Sequence, residues 1–218
     1  MNKISYRLQV VFSNIPKCKS FADIGCDHGY ISYLMLKENK CETLTYSDVS
    51  APSLQKAKLL LKDFPNATGV CCNGLEKIDR EVDCVLIAGM GGENVISILE
   101  NSFLPPTLVL QPMKNIDKLR VYLNKSGYFL KKDYIFKAEG KFYNLILAEK
   151  GSEVLSEQEI EYGKDNLSNP SKDFLEYLEK SIEKKQEILS GLEGENYQTY
   201  KQKLNEEISL YERLRTKG

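Results

Sequence analysis

Ten consecutive residues, Phe21-Ala22-Asp23-Ile24-Gly25-Cys26-Asp27-His28-Gly29-Tyr30, carry the densest chemistry in the chain. An apolar run breaks there into a turn with glycines at 25 and 29 and then into a helix-like segment. A ligand that lies against backbone needs such a turn, because glycine has no Cβ to hold it off and a helix start presents unpaired N–H groups. A dinucleotide site would read GxGxxG, so that a pyrophosphate rests on the helix N-terminus. Here the spacing is DxGxxxG, with the carboxylates of Asp23 and Asp27 where two phosphates would be repelled. That pattern disfavours NAD and favours a cofactor with a cationic head and no phosphate. S-adenosylmethionine, which carries an ammonium and a sulfonium, meets the description.

Four more positions repeat the theme at the ends of apolar runs. Asp48 stands 25 residues after Asp23, where an acid accepts hydrogen bonds from ribose hydroxyls. Asn73-Gly74-Leu75 offers an amide to an adenine edge, Ile87-Ala88-Gly89-Met90-Gly91-Gly92 packs three glycines into four residues, and Leu110-Gln111-Pro112 places another amide. Taken singly, each has an ordinary explanation as a turn or cap. Their recurrence at successive strand ends raises cofactor binding above that explanation, with one rim gathering residues 25 to 30, 48, 73, 88 to 92 and 111.

The elements that must present this rim follow from the periodicity. Apolar strand candidates at 20–26, 43–49, 67–73, 83–89 and 107–113 alternate with helix-like segments, the reading of a parallel sheet flanked by helices. Strands at 127–136 and 141–150 meet at a short turn around Gly140, so the last strand is expected to insert antiparallel. The expected class is α/β, with a seven-stranded, mostly parallel sheet in the Rossmann-like pattern of methyltransferases. Ahead of it, Ile4, Leu8, Val11, Phe12 and Ile15 predict a helix over 3–14 with one apolar stripe. Past Gly151 no strand is expected. Leu178, Ile182, Leu189 and Leu192, with Lys185 at the skipped heptad position, and then Tyr197, Tyr200, Leu204, Ile208, Tyr211 and Leu214 beyond the bend GLEGEN, predict an antiparallel helical hairpin of coiled-coil type. The expected division is a Rossmann-like domain at 1–150 and a coiled-coil helical domain at 151–218.

Composition narrows the classes. The 218 residues are 42% apolar and 28% charged, with net charge −1, which excludes a disordered tail or a collagen. No apolar run approaches the roughly 20 residues of a membrane span, and Lys3, Arg7 and Gln9 interrupt any leader-like core. A cytoplasmic protein without a membrane partner is expected. Six cysteines at 18, 26, 41, 71, 72 and 84 form no metal-ligand spacing, and His28 is the single histidine, so no metal is expected and the thiols read as buried apolar residues. Residues 1–150 hold 20 Lys+Arg against 16 Asp+Glu and residues 151–218 hold 10 against 15, which permits a polyanionic substrate at the front without requiring one.

DIGCDHGY after the first strand, IAGMGG after the fourth, LVLQP at the fifth, YRL in the opening helix and the terminal hairpin together closely resemble the TrmK family, bacterial tRNA (adenine-22-N1)-methyltransferases, over essentially the whole chain. Asp23, Gly25, Asp27, His28, Gly29, Asp48 and Gly89 to Gly92 match the family pattern; Asn73 departs from a GDGL-like element, and the second-strand acid is often Glu in relatives. The resemblance implies methyl transfer from S-adenosylmethionine to N1 of an adenine in the D-arm of tRNA, by a protein expected to be a monomer. N1 already bears an in-plane lone pair, so holding it about 3 Å from the methyl and in line requires no general base. On this reading Asp23, Gly25, Asp27, His28, Gly29, Asp48, Asn73, Gly74, Ala88, Gly89 and Met90 bind the cofactor. Asp27, Met90 and Gln111 are the catalytic candidates, and Arg7, Gly91, Gly92 and Pro112 meet the substrate. Asp27 either steadies the methylated adenine cation or binds the cofactor's amino group, and His28 is either a ligand or a helix-start residue. Lys114, Lys118, Arg120 and Lys125 contact phosphates or form a solvated helix face; in the tail a basic stretch at Lys180, Lys184 and Lys185 is the candidate RNA contact. Two alternatives stay open: a methyltransferase for another substrate, and a catalytically silent RNA-binding or scaffolding protein that keeps the cofactor fold.

Overall fold

The computed structural model describes residues 4–191, 193 and 195–216. Its strands are β1 (Ser20–Ile24), β2 (Thr43–Asp48), β3 (Ala67–Cys71), β4 (Cys84–Ala88), β5 (Thr107–Gln111), β6 (Tyr128–Ala138) and β7 (Lys141–Lys150). They form one sheet in the order β3-β2-β1-β4-β5-β7-β6, parallel except for β7, which runs antiparallel to β5 and β6. The strand order reverses between β1 and β4, the point where open α/β sheets leave a crevice at their carboxyl edge.

Helices cover both faces, which is why the central strands read as apolar runs without alternation. Helices α1 (Tyr6–Asn14), α2 (Tyr30–Lys37) and α3 (Ala51–Leu60) enclose a core of Val11, Met35, Leu36, Ala57, Phe21, Leu86 and Val109. On the other face α4 (Gly92–Glu100) and α5 (Ile116–Lys125) bury Val95, Leu99, Leu119 and Leu123 against Ile24, Val85, Ile87 and Leu108. Removing one such side chain to alanine costs about 2–5 kcal/mol. The β6–β7 hairpin closes through Glu139 (φ 47) and Gly140 (φ 75), with Ala138 paired to Lys141. Positive φ at both loop residues suits the twist of a two-residue hairpin.

Helix α1 begins at Tyr6, later than the expected 3–14, because the Ser5 side chain accepts from the Leu8 N–H and caps it; Lys3 lies outside the described residues. Glu139 accepts the Tyr6 N–H at 2.8 Å and pins this end to the β6–β7 turn.

Arg120 requires a correction. It is neither a phosphate ligand nor part of a solvated face, because it is buried on α5 and spends its donors inside the protein. Nε and Nη2 donate to Asp133 of β6 at 2.8 and 2.9 Å, Nη1 donates to the carbonyls of Ile160 and Glu161, and Nη2 also reaches Asn144. The pair fastens α6 (Glu157–Tyr162) and α7 (Lys164–Ser168) to the sheet. The long helices α8 (Lys172–Ser190) and α9 (Glu195–Arg215) bury Phe174, Leu178, Leu210 and Leu214 against Ile135 of β6.

Within that hairpin the seam differs from the expected stripe. Its buried α9 positions are Leu204, Glu207, Leu210 and Leu214, while Ile208 and Tyr211 are half-buried. Glu207 accepts from Ser181 at 3.0 Å and pairs with Lys185 at 2.7 Å, so the skipped heptad position holds the seam's ion pair. Lys180 pairs with Glu176, which leaves Lys184 alone of the basic stretch outside the hairpin's ion pairs among the described residues. Leu192 and Gly194 of the expected bend lie outside the described residues. All six cysteines are free; Cys26, Cys41, Cys72 and Cys84 are buried, Cys18 is half-buried and Cys71 is exposed. No described helix is long and apolar enough to cross a membrane.

Candidate functional site

A crevice of about 1090 Å³ opens at the carboxyl edge, walled by α1, the ends of β1 to β4 and one face of α4. The glycine turn after β1 is wound tightly, with φ of 71 at Gly25, 47 at Asp27 and 72 at Gly29. Four of its amides are already used: Gly25 and Cys26 donate to the Ser47 carbonyl at 2.9 Å, Gly29 donates to the Cys26 carbonyl, and Asp27 donates to Asp48 Oδ2 at 3.1 Å. A pyrophosphate would need those donors free, so the turn is built against one.

The acids are better placed for a cation and for hydroxyls. Asp23 is buried, accepts from Ser32 Oγ at 2.7 Å, and has no basic partner among the described residues. Burial pushes its carboxyl up to about 6, the Ser32 hydrogen bonds offset part of that, and the nearby Asp48 charge adds to it. A cationic group brought into the crevice would favour the ionised form of this carboxyl and draw its pKa back down. Asp48 accepts one backbone N–H on each oxygen, from Asp27 and from Ser50 at 2.8 Å, and keeps lone pairs for a ligand. Beside it Ser47 lines the crevice, and its buried Oγ has no hydrogen-bond partner among the described residues, a polar atom whose desolvation is left uncompensated. These donor and acceptor types fit S-adenosylmethionine.

Asp27 lies at the mouth, its side chain 67% exposed, with Oδ2 at 2.8 Å from His28 Nδ1. The His28 ring stacks on Tyr30, and Nε2 lies 3.5 Å from Lys56 Nζ. Asn73, Gly74, Ala88, Gly89 and Met90 all line the crevice. The space over Gly25 is taken by the Met90 side chain, whose methyl would overlap a Cβ there. The turn thus admits protein as closely as it was expected to admit ligand.

Five expected positions do not line the crevice. Gly29 begins α2 and abuts Ala57, and Gly92 is buried against the Asn115 carbonyl, so both glycines serve close backbone packing. Gly91 lies under the Lys114 side chain. Pro112 is buried and its carbonyl accepts from Gln111 Nε2. Gln111 itself has no exposed surface; its Oε1 accepts from Nη1 of the crevice-lining Arg7 at 2.9 Å and its backbone carbonyl accepts from the N–H of Gly89 at 3.0 Å.

The stripe formed by Asn94, Ser97 and Ile98 of α4 and its C-cap Asn101 lines the crevice and was not anticipated. Its spacing of three, one and three residues is one helical stripe, but a polar stripe reads equally as a solvated face. Exposed Val49, next to Asp48, also lines the crevice and was not anticipated.

Known proteins resemble this chain in both sequence and fold. The model of the family TrmK, tRNA (adenine(22)-N(1))-methyltransferase, matches residues 21–213. The tRNA (adenine(22)-N(1))-methyltransferase of Bacillus subtilis is 34% identical over 157 residues, 68% of this chain and 66% of that one. Among solved structures, Streptococcus pneumoniae Sp1610 in complex with S-adenosyl-L-methionine superimposes with a TM-score of 0.86 at 25% identity, covering 97% of this chain and 99% of that one. M. capricolum TrmK in complex with S-adenosyl-homocysteine gives 0.87 at 25% identity, covering 96% and 98%.

Proposed function

This chain belongs to the TrmK family of tRNA (adenine(22)-N(1))-methyltransferases, and from that premise we propose how its crevice moves a methyl group from S-adenosylmethionine to N1 of adenine 22 in tRNA. The observation that carries the assignment is an acidic recess, Asp23 and Asp48 with the unpartnered Ser47 hydroxyl, at the sheet's switch point. Solved relatives with the methyl donor or its product bound support the cofactor.

The donor, when bound, supplies an electrophilic methyl on a sulfonium, and the adenine N1 lone pair takes it. Asp23 neutralises positive charge at the crevice floor, and Asp48 with Ser47 accepts hydroxyl donors. The α4 stripe and Val49 close over the remaining surface, with Asn73 and Gly74 at the adenine end. Asp27, at the mouth, is assigned to steady the cation that N1-methylated adenine becomes, and His28 holds that carboxylate in place. Met90, seated on Gly25, fixes the distance between the loops after β1 and β4. Every crevice-lining residue falls between 7 and 102, which supports reading 1–150 as the catalytic domain, 151–218 as an appended helical one, and the monomer as the working unit.

The test is nucleoside mass analysis of tRNA transcripts incubated with the protein and S-adenosylmethionine. The expected result is one N1-methyladenine in a transcript with adenine at position 22 and none with guanine there. Equal labelling of both transcripts, or of neither, contradicts it.

A further inference from the structure

The guanidinium of Arg7 brings a positive charge to a crevice otherwise lined by carboxylates. Arg7 is half-buried and lines the crevice, yet among the described residues no carboxylate lies within ion-pair reach of it. Among the described residues one of its five N–H donors is spent, on Gln111. A cation that has given up part of its hydration without gaining a counter-charge is poised for an anion.

Its surroundings hold it in place. Gln111 is fully buried at the end of β5, its Nε2 tied to the Pro112 carbonyl at 3.2 Å and to Met113 Sδ at 3.3 Å, so that Oε1 faces Arg7. Tyr143 of β7 lies under the guanidinium, 5.6 Å from ring centroid to Cζ, and stacks in turn on Phe136. Gly89 is the near backbone: a Cβ there would lie 3.8 Å from Nη1. The first helix, the fifth strand and the last strand thus converge on one side chain.

Resting on the tRNA reading above, we propose that Arg7 is the seat of a backbone phosphate next to the target adenine, and that Gln111 and Tyr143 are positioning residues for it. The base itself is the poorer partner. A guanidinium only donates, so it cannot take the adenine amino hydrogens, and it would repel the positive charge that N1 acquires on methylation. A phosphate offers paired acceptor oxygens matched to the fork of donors. The crevice is then bipolar, acidic where the cationic donor lies and basic where the polyanionic acceptor enters.

The experiment uses the full chain, saturating S-adenosylmethionine, and adenine-22 transcripts in which the phosphodiester on either side of that adenine is replaced in turn by an uncharged methylphosphonate. Arg7→Gln is expected to raise KM for tRNA about tenfold, leave kcat within about threefold and donor affinity unchanged, and reduce the slope of log(kcat/KM) against log salt by about one. Arg7→Lys recovers part of the KM. Gln111→Glu, which would close Arg7 into an ion pair, matches Arg7→Gln. One of the two methylphosphonates costs the wild type a similar factor and costs Arg7→Gln nothing more. A wild type that methylates adenine 22 beside an Arg7→Gln variant with unchanged KM and salt slope, or losses that multiply for both linkages, would overturn the phosphate seat alone. A wild type that methylates no tRNA would overturn it together with the tRNA reading.

Discussion

Two buried carboxylates, Asp23 of β1 and Asp133 of β6, have opposite surroundings. Asp133 is held by two Arg120 nitrogens, and that guanidinium's other contacts are protein carbonyls and Asn144. Asp23 has a serine hydroxyl and, among the described residues, no cation. Burial raises both carboxyls, but beside Asp133 the Arg120 charge pulls the other way. The two arginines divide in the same manner, Arg120 with its donors shared among protein acceptors and Arg7 with one hydrogen bond. Where charges are mutually satisfied the molecule is fastening its helices to its sheet. Where they stand open the crevice is waiting for ligand.

Removing one partner of the closed pair is expected to do the most damage. Asp133→Asn leaves Arg120 buried with its charge uncompensated and should cost about 3–5 kcal/mol in urea unfolding, with methyl transfer per folded molecule retained. The open carboxylate behaves oppositely. Asp23→Asn should lower methyl transfer at least about a hundredfold while stabilising the free protein by up to about 3 kcal/mol at pH 7.5. The sign follows from a folded pKa raised to about 6 from 3.8: above pH 6 ionised Asp23 destabilises the fold, and below about pH 4 the difference between variant and wild type vanishes. Urea midpoints at pH 4, 6 and 7.5 measure it.

Glu207 is an intermediate case, buried but facing a Lys185 that retains some exposure. Glu207→Gln is therefore expected to cost only about 1 kcal/mol, with opening of the α8–α9 hairpin visible by hydrogen exchange and little change in donor affinity. Ser5→Ala, which uncaps the helix that carries Arg7, should cost about 0.5–1 kcal/mol and appear as faster exchange at the Leu8 amide.

The parts of this contrast differ in how readily they can be read from the chain. Strands β1, β4 and β5 were legible because burial on both faces leaves an unbroken apolar run, and the acidic glycine turn because Asp23, Gly25 and Asp27 are adjacent. Arg120 and Asp133 were not legible as a pair: they lie 13 residues apart on different elements, and a lone arginine on a helix looks the same whether it meets solvent or a buried acid. Arg7 and Gln111 are separated by 104 residues, so the amide was expected at the chemistry and is found behind it. The hairpin seam was misphased at Glu207, since a charged residue at a core position carries no apolar signal until its lysine is in view. The polar stripe of α4 was overlooked for the reverse reason, its side chains being ordinary for a helix facing water.

Proton release on donor binding tests most directly whether Asp23 is the open charge of the site. Calorimetric titration of S-adenosylmethionine near pH 6, in buffers of different ionisation enthalpy, should report about half a proton released per molecule bound, and Asp23→Asn should release none. Heats that do not depend on the buffer, or an equal release from the variant, would contradict the account.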